Sequence, residues 1–185
     1  MLMPSKTRLL ALVASLSAAN AALRVALAGG PPNVKPTAFL IMIAGVVAGP
    51  LPGLAVGWLS IVISDLATPL GAGPWTIVTS AGMALVGLLA GFLWYHSPSI
   101  GRLSMTIGGY LIAMLYDVGT SITFAILYGY PLLASVLGLY VPFIMGGLSP
   151  YPFGFAHELT TAILCGTIGP SLSHQIKKVY QRASG

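Results

Sequence analysis

The sequence predicts an all-α membrane protein, folded as a compact bundle of six transmembrane helices with both termini in the cytoplasm. Of its 185 residues, 56% are hydrophobic and only 6% are charged, and the mean hydropathy is +0.92. A soluble domain of this length needs far more charge to cover its surface. Because the whole chain carries only three acidic residues, we expect residues 1–185 to form a single integral membrane domain without a separate soluble part.

Breaks rich in Gly and Pro divide the chain into six apolar segments, which supply the count of spans. Gly and Pro end helices, and lipid does not tolerate unpaired backbone between them. An even number of spans places both termini on one side, as the basic residues at the two ends favour under the positive-inside rule. The predicted spans are about 8–28, 34–49, 53–68, 76–95, 104–128 and 151–173, and the terminal basic residues are Lys6, Arg8, Lys177, Lys178 and Arg182.

The first apolar segment also has features of a signal peptide, with basic residues before it and small residues at Ala19 and Ala21. Its apolar run continues past Arg24 to about Ala28. We therefore interpret it as the first transmembrane helix.

The external connections are predicted at 29–35, 68–76 and 128–150. Spans two and three are short against the roughly 20 residues that cross a bilayer, so a tilted or re-entrant hairpin is an alternative for them. The third connection is apolar enough to be a seventh span. Its breakers favour an external loop with a short helix that packs on the bundle; they are Pro131, Pro142, Gly146 and Gly147.

The sequence lacks the motifs of several function classes. The basic residues are not clustered as in a nucleic-acid surface, and the single Cys165 excludes an intrachain disulfide. No HExxH, GxSxG or GxxxxGK motif is present. His157 and Glu158 are adjacent and point about 100 degrees apart on a helix, so they do not address one atom. We predict no catalytic residues and no metal site.

Alanines recur every four residues in the first span, and this spacing makes one smooth ridge on a helix. The ridge would let another helix approach closely, either within the bundle or in a partner protein. It comprises Ala14, Ala18, Ala22 and Ala26.

Ionisable residues inside membrane segments usually face the bundle interior, a partner or a cavity. Asp117 belongs to a polar and aromatic stripe on the fifth span, and such a stripe suits a flat organic ligand. Alternatively Asp117 pairs with Arg24 inside the bundle and the tyrosines lie at the membrane interfaces. Glu158 is expected to pair with Arg24 or a neighbouring hydroxyl. The other members of the stripe are Tyr110, Ser121, Phe124 and Tyr128.

Four motifs, taken in order, resemble the substrate-binding S component of an energy-coupling factor (ECF) transporter. They are PNVKPTAFLIMIAGVVAGPLPG (32–53), GPWT (73–76), YDVGTS (116–121) and PFGFAHELTT (152–161). The resemblance implies a multi-pass protein of the plasma membrane that captures a vitamin from outside. It also implies three partner subunits, one transmembrane coupling subunit and two ATPases that use the ATP, and no cofactor of its own. The alanine ridge would be the docking surface for the coupling subunit.

The resemblance also implies a pocket built from external loops one, three and five and the adjoining helix ends. Many relatives carry Asn where this chain has Ser121 and Thr161, and both departures replace an amide by a hydroxyl. GPWT together with PNVKP is most similar to relatives associated with cobalamin or similar large vitamins. The implied substrate-binding residues are Asn33, Lys35, Gly73, Trp75, Thr76, Asp117, Ser121, Tyr128, Tyr130, Tyr140, His157 and Thr161.

Two other functions compete with a vitamin-binding subunit. One is a small structural or assembly subunit whose alanine ridge serves packing alone. The other is an intramembrane enzyme that uses Asp117, His157 or Glu158.

Overall fold

The computed structural model describes residues 6–30, 33–68, 71–141 and 154–182, and its regular elements within these ranges are all helices. The all-α prediction is therefore confirmed. In the described part of the chain, four helices are long and apolar enough to cross a membrane, namely α1, α3, α4 and α5. The helices of the described ranges are α1 (Lys6–Ala26), α2 (Thr37–Ala48), α3 (Pro50–Ala67), α4 (Pro74–Trp94), α5 (Arg102–Tyr128), α6 (Leu132–Tyr140), α7 (Gly154–Thr167) and α8 (Gly169–Arg182).

Side-chain contacts between the long helices fix their relative directions. Asn20 of α1 donates to Ser60 of α3 at 3.1 Å, and Arg24 pairs with Asp65 one turn further along both helices, so α1 and α3 are parallel. The contacts of α3 with α4, of α4 with α5 and of α5 with α7 run in the antiparallel sense. The carboxyl ends of α1, α3 and α5 therefore lie beside the amino ends of α4 and α7. We name this the acidic end, since it holds Asp65, Asp117 and Glu158.

Helix α2 lies at the centre of the bundle. Ten of its 12 residues are buried, as expected of a helix that is hydrophobic all round. Because other helices cover α2, its length of roughly 18 Å does not have to match the thickness of a bilayer. A single residue, Gly49, separates α2 from α3, and its φ of +104° is readily adopted only by glycine.

Glycines allow the backbones of α2, α3 and α4 to touch. A Cβ atom at Gly87 of α4 would clash with the Gly53 backbone of α3, and a Cβ atom at Gly57 would clash with the Met83 carbonyl. Gly45 of α2 meets the same stretch of α4. Small residues are the usual means of close helix approach inside membranes, where packing rather than water exclusion drives association.

The sixth predicted span, 151–173, is not one helix. Residues 151–153 lie outside the described residues, α7 ends at Thr167, and α8 begins at Gly169. Pro170 lacks the N–H that would continue the hydrogen bonds of α7, which accounts for a new helix at this point. Helix α8 continues well past the predicted end at residue 173. Its inner face, spaced every four residues, packs on the core through Leu172, Ile176 and Tyr180.

Helix α6 lies in the described part of the long connection 128–150, for which a seventh span was the alternative. With nine residues it rises roughly 14 Å, which is too short for a seventh span. It packs against α5 and α7, so the short packed helix predicted in this connection is confirmed. Pro142, Gly146 and Gly147 lie outside the described residues.

Candidate functional site

A buried acid and histidine pair joins α5 to α7. The Nδ1 atom of His157 lies 2.9 and 3.1 Å from the two carboxylate oxygens of Asp117. Both side chains are more than nine-tenths buried. The alternative in which Asp117 pairs with Arg24 is therefore wrong, because Arg24 belongs to a different ion pair.

The carboxylate fixes the orientation of the imidazole ring. With its Nδ1–H donated to Asp117, His157 has Nε2 left as an acceptor, or as a second donor when the ring is protonated. The Tyr116 ring meets His157 edge-on, with 5.7 Å between the centroids. The ring is held from two sides, so its second nitrogen has a defined direction toward any group that approaches it.

Glu158, the neighbour of His157, points to different partners. Its Oε1 atom accepts a hydrogen bond of 2.8 Å from the Tyr140 hydroxyl on α6, and Tyr110 of α5 also interacts with this carboxylate. The prediction of a neighbouring hydroxyl as partner is confirmed, and the alternative pairing with Arg24 is wrong. Glu158 is fully buried, so it belongs to the interior beside the Asp117–His157 pair.

Aromatic rings lie near the carboxyl end of α5, beyond Ser121 and at the acidic end of the bundle. Phe124 and Tyr128 are stacked with 5.9 Å between centroids, and Tyr128 lies 6.1 Å from Tyr130. Phe124 is buried whereas both tyrosines are exposed. The predicted stripe on α5 thus runs from a buried carboxylate to exposed rings at the helix end.

A second polar group joins α1, α3 and α4. The Arg24 guanidinium donates to the Asp65 carboxylate and, at 2.6 Å, to the Ser64 hydroxyl. Thr76 donates to the other Asp65 oxygen at 2.7 Å and accepts from the Gly73 N–H at 3.1 Å. Sequence reasoning singled out Arg24 and Asp65 as costly charges but did not pair them. Both residues lie near the external ends of predicted spans, and this shared position is the sequence feature that could have suggested the pair.

The loop residues predicted for the pocket adjoin this second group. Trp75 is 37% exposed, and its ring covers Gly73 so closely that a Cβ atom there would clash. Lys35, half-buried in the loop before α2, has its pKa lowered by burial and by the nearby Arg24 guanidinium. Asn33 has a left-handed backbone with φ of +62°, a conformation that Asn tolerates better than most residues.

The structure therefore divides the predicted substrate-binding residues into two groups at the same end of the bundle. The group on α5, α6 and α7 comprises Asp117, Ser121, Tyr128, Tyr140, His157 and Thr161, with Tyr130 directly after α5. The group at α4 and in the loop after α1 comprises Asn33, Lys35, Gly73, Trp75 and Thr76.

A groove between α4 and α5, with a volume of about 610 Å³, is lined by neither group. Its walls are apolar side chains, and the hydroxyls of Thr120 and Thr123 are bonded to carbonyl oxygens of their own helix. Tyr116 contributes to the groove wall and also meets His157. Among the described residues, no cluster of three or more His, Cys, Asp and Glu side chains is placed to hold a metal ion.

The alanine ridge of α1 faces outward. The residues of α1 that are buried are Ser17, Asn20 and Ala21, and only 17% of its apolar window is buried, against 39 to 50% for α3, α4 and α5. Among the described residues, the ridge therefore does not pack inside the bundle. The four exposed ridge residues are Ala14, Ala18, Ala22 and Ala26.

Comparison of the chain with protein-family models, with curated proteins and with solved structures gives no match. The function is therefore inferred from the site and from the sequence motifs.

Proposed function

We propose that this chain is the membrane-embedded, substrate-binding subunit of an ECF-type importer. It captures a vitamin or related micronutrient from outside and delivers it with a separate energising module. That module consists of a transmembrane coupling subunit and two ATPases, which hydrolyse ATP.

The buried polar cluster of α5, α6 and α7 carries the proposal. Asp117, His157 and Glu158 are at most 7% exposed, and because burying ionisable groups in an apolar bundle is costly, such a cluster suggests a functional site. The rings of Phe124 and Tyr128 lie on the same helix toward its end. Polar groups of fixed direction beside apolar and aromatic surface are the usual composition of a small-molecule site.

The orientation follows from the charges. In the proposed topology α1, α2, α3, α4, α5 and the α7–α8 segment make six crossings of the plasma membrane. All three acids lie at the acidic end, whereas Lys177 donates to the Tyr95 carbonyl near the opposite end of α4. Lys6, Arg8 and Arg102 begin α1 and α5 at that opposite end. The positive-inside rule makes it cytoplasmic, with both termini, and opens the acidic end to the outside.

The outward alanine ridge supports docking of the coupling subunit. A helix face that contacts only lipid does not need small side chains. A partner helix, by contrast, gains van der Waals contact when it approaches a face of small side chains closely. Helix α1 is also the least buried of the four long apolar helices. A partner can therefore reach this face without displacing another helix of the chain.

Binding of a vitamin by the purified chain is the direct test. We expect calorimetry against a panel of vitamins to find one ligand with a Kd between nanomolar and micromolar, roughly −12 to −8 kcal/mol. Absorption and mass spectra of any co-purifying molecule identify it independently. His157→Ala should weaken binding. The absence of binding across the panel, in a folded preparation that keeps its buried Cys165 unreactive to thiol dyes, contradicts the proposal.

A further inference from the structure

Glu158 is a fully buried carboxylate with an incomplete set of partners. Oε1 accepts the hydrogen bond from Tyr140 and Tyr110 interacts with the same carboxylate, while Oε2 has no hydrogen-bond partner among the described residues. A buried carboxylate costs several kcal/mol unless hydrogen bonds and an opposite charge compensate it. The free oxygen therefore marks a position where a donor would be strongly stabilised.

The cations of the described ranges are engaged elsewhere, lie at the other end or, in the case of Lys35, lie in the loop before α2 beside Arg24. Arg24 pairs with Asp65, and the His157 ring faces Asp117. Lys177 binds the Tyr95 carbonyl at the end of the bundle away from Glu158. The ion pairs found within residues 6–30, 33–68, 71–141 and 154–182 thus leave Glu158 without a positive partner.

Three buried hydroxyls on α5, α6 and α7, the helices that meet at Glu158, also lack hydrogen-bond partners among the described residues. Ser121 lies one turn beyond Asp117 on α5, Thr161 one turn beyond His157 on α7, and Ser135 on α6. Each is at most 1% exposed, and each oxygen lacks a hydrogen-bond partner among the described residues. A purely apolar occupant would leave these groups unsatisfied, at a cost of about 1–3 kcal/mol for each.

The charges around these hydroxyls select the sign of the ligand. A carboxylate or phosphate would approach Asp117 and Glu158, and like charges repel strongly where water is excluded. A cation would compensate the buried Glu158 carboxylate.

On the premise that the proposed function holds, we propose that the ligand is an organic cation that presents N–H donors, and that Glu158 is its charge partner. One N–H binds Glu158 Oε2. Further polar groups of the ligand engage the free hydroxyls, and its flat part packs against the rings of α5.

A panel graded by charge tests this substrate class. Thiamine and pyridoxamine serve as cationic probes, riboflavin as an uncharged probe, and biotin and pantothenate as carboxylate probes, each titrated into the purified chain. We expect the tightest binding from a cationic probe. Preferred binding of an uncharged or carboxylate probe overturns the inference while the proposed function stands. If none of these probes binds while another vitamin of the wider panel does, this inference fails alone. If no vitamin binds the folded chain, the proposed function fails and this inference fails with it.

Variants locate the charge partner. Glu158→Gln retains the shape and the Tyr140 contact, so we expect at least tenfold weaker binding of the preferred cationic probe and little change in thermal stability. Unchanged affinity overturns the role of Glu158.

Ser121→Ala and Ser173→Ala form a matched pair, since both hydroxyls are buried and unpartnered but Ser173 lies on α8. We expect several-fold weaker binding for Ser121→Ala only, and equal affinities would contradict the assignment even if the Glu158 variant does not fold.

Discussion

The Arg24–Asp65 pair shows how single residues at the acidic end depend on one another. The Asp65 side chain is 5% exposed and that of Arg24 is 26% exposed, so loss of one partner strands a charge in an apolar interior. The same carboxylate accepts from Thr76 at the start of α4. One buried acid thus joins three helices.

We expect Arg24→Met to lower the free energy of unfolding by about 1–3 kcal/mol, since it leaves Asp65 buried without a cation and Arg24 is only partly buried. The double variant Arg24→Met with Asp65→Leu should be more stable than the single variant, because it removes both charges. The reaction of Cys165 with a thiol dye during heating measures unfolding, as this is the only cysteine and it is buried. A double variant less stable than Arg24→Met would contradict a charge effect.

Sequence reasoning at this scale found the costly residues but not all of their partners. Asp117 and His157 stand out as ionisable groups in apolar segments, whereas their mutual contact spans 40 residues. It depends on how α5 and α7 are rotated about their axes. A stripe on one helix contains no information about the rotation of another, so the sequence suggested Asp117 or Glu158 as the partner of Arg24 and did not suggest Asp65.

At the scale of elements, glycine contacts set the spacing of α2, α3 and α4. Gly87 lies against both Gly45 and Gly53, and all three residues are buried. The positions of these helices hold Thr76 close to Asp65. Close backbone packing in the middle of the bundle therefore supports the polar group at its end.

We expect Gly87→Ala to lower the free energy of unfolding by at least about 2 kcal/mol, because the added methyl would overlap the Gly53 backbone and push two helices apart. Gly119→Ala is the matched control, since Gly119 is also inside a helix but has no atom within 4 Å of an added Cβ. The control should be neutral or stabilising by up to about 1 kcal/mol. Equal effects in the thiol-dye assay would show that the glycine contact does not limit packing.

The element boundaries were predictable where composition changes sharply. The first five predicted spans match α1 to α5 to within about three residues, because Gly and Pro end apolar runs there. The break between α7 and α8 was missed, although the Gly169–Pro170 dipeptide signals it. The end of α8 was missed because its charged residues do not resemble a span, while its apolar spacing of four does predict an amphipathic helix.

At the scale of the whole molecule, the alanine ridge of α1 is exposed on the side of the bundle, away from the polar cluster at the acidic end. Helix α1 contacts α3 through Asn20 and Arg24 and turns its alanine ridge outward. A polar cluster at one end and a smooth helix face on the side are separate features. The proposed ligand capture and the proposed partner docking should therefore be separable by substitution.

We expect Ala18→Leu together with Ala22→Leu to abolish docking of the coupling subunit and uptake while vitamin binding stays within about twofold. The added side chains would hold a partner helix away from the ridge, yet both positions are exposed and leave the fold intact. Co-purification with the coupling subunit and cellular uptake are the measurements. Ala19→Leu is the control, as Ala19 is exposed but lies off the ridge. Unchanged association and uptake in the ridge variant would rule out this docking surface.

The sequence by itself determined the all-α class, the long apolar helices, the short helix before residue 141 and the residues whose burial needs a reason. These follow from local composition and from the cost of exposing backbone to lipid. The tertiary structure alone decided that Arg24 belongs to Asp65, that His157 belongs to Asp117, and that the alanine ridge faces outward. Each of these depends on the register and rotation of helices far apart in the chain, which are set by packing and are absent from any local pattern.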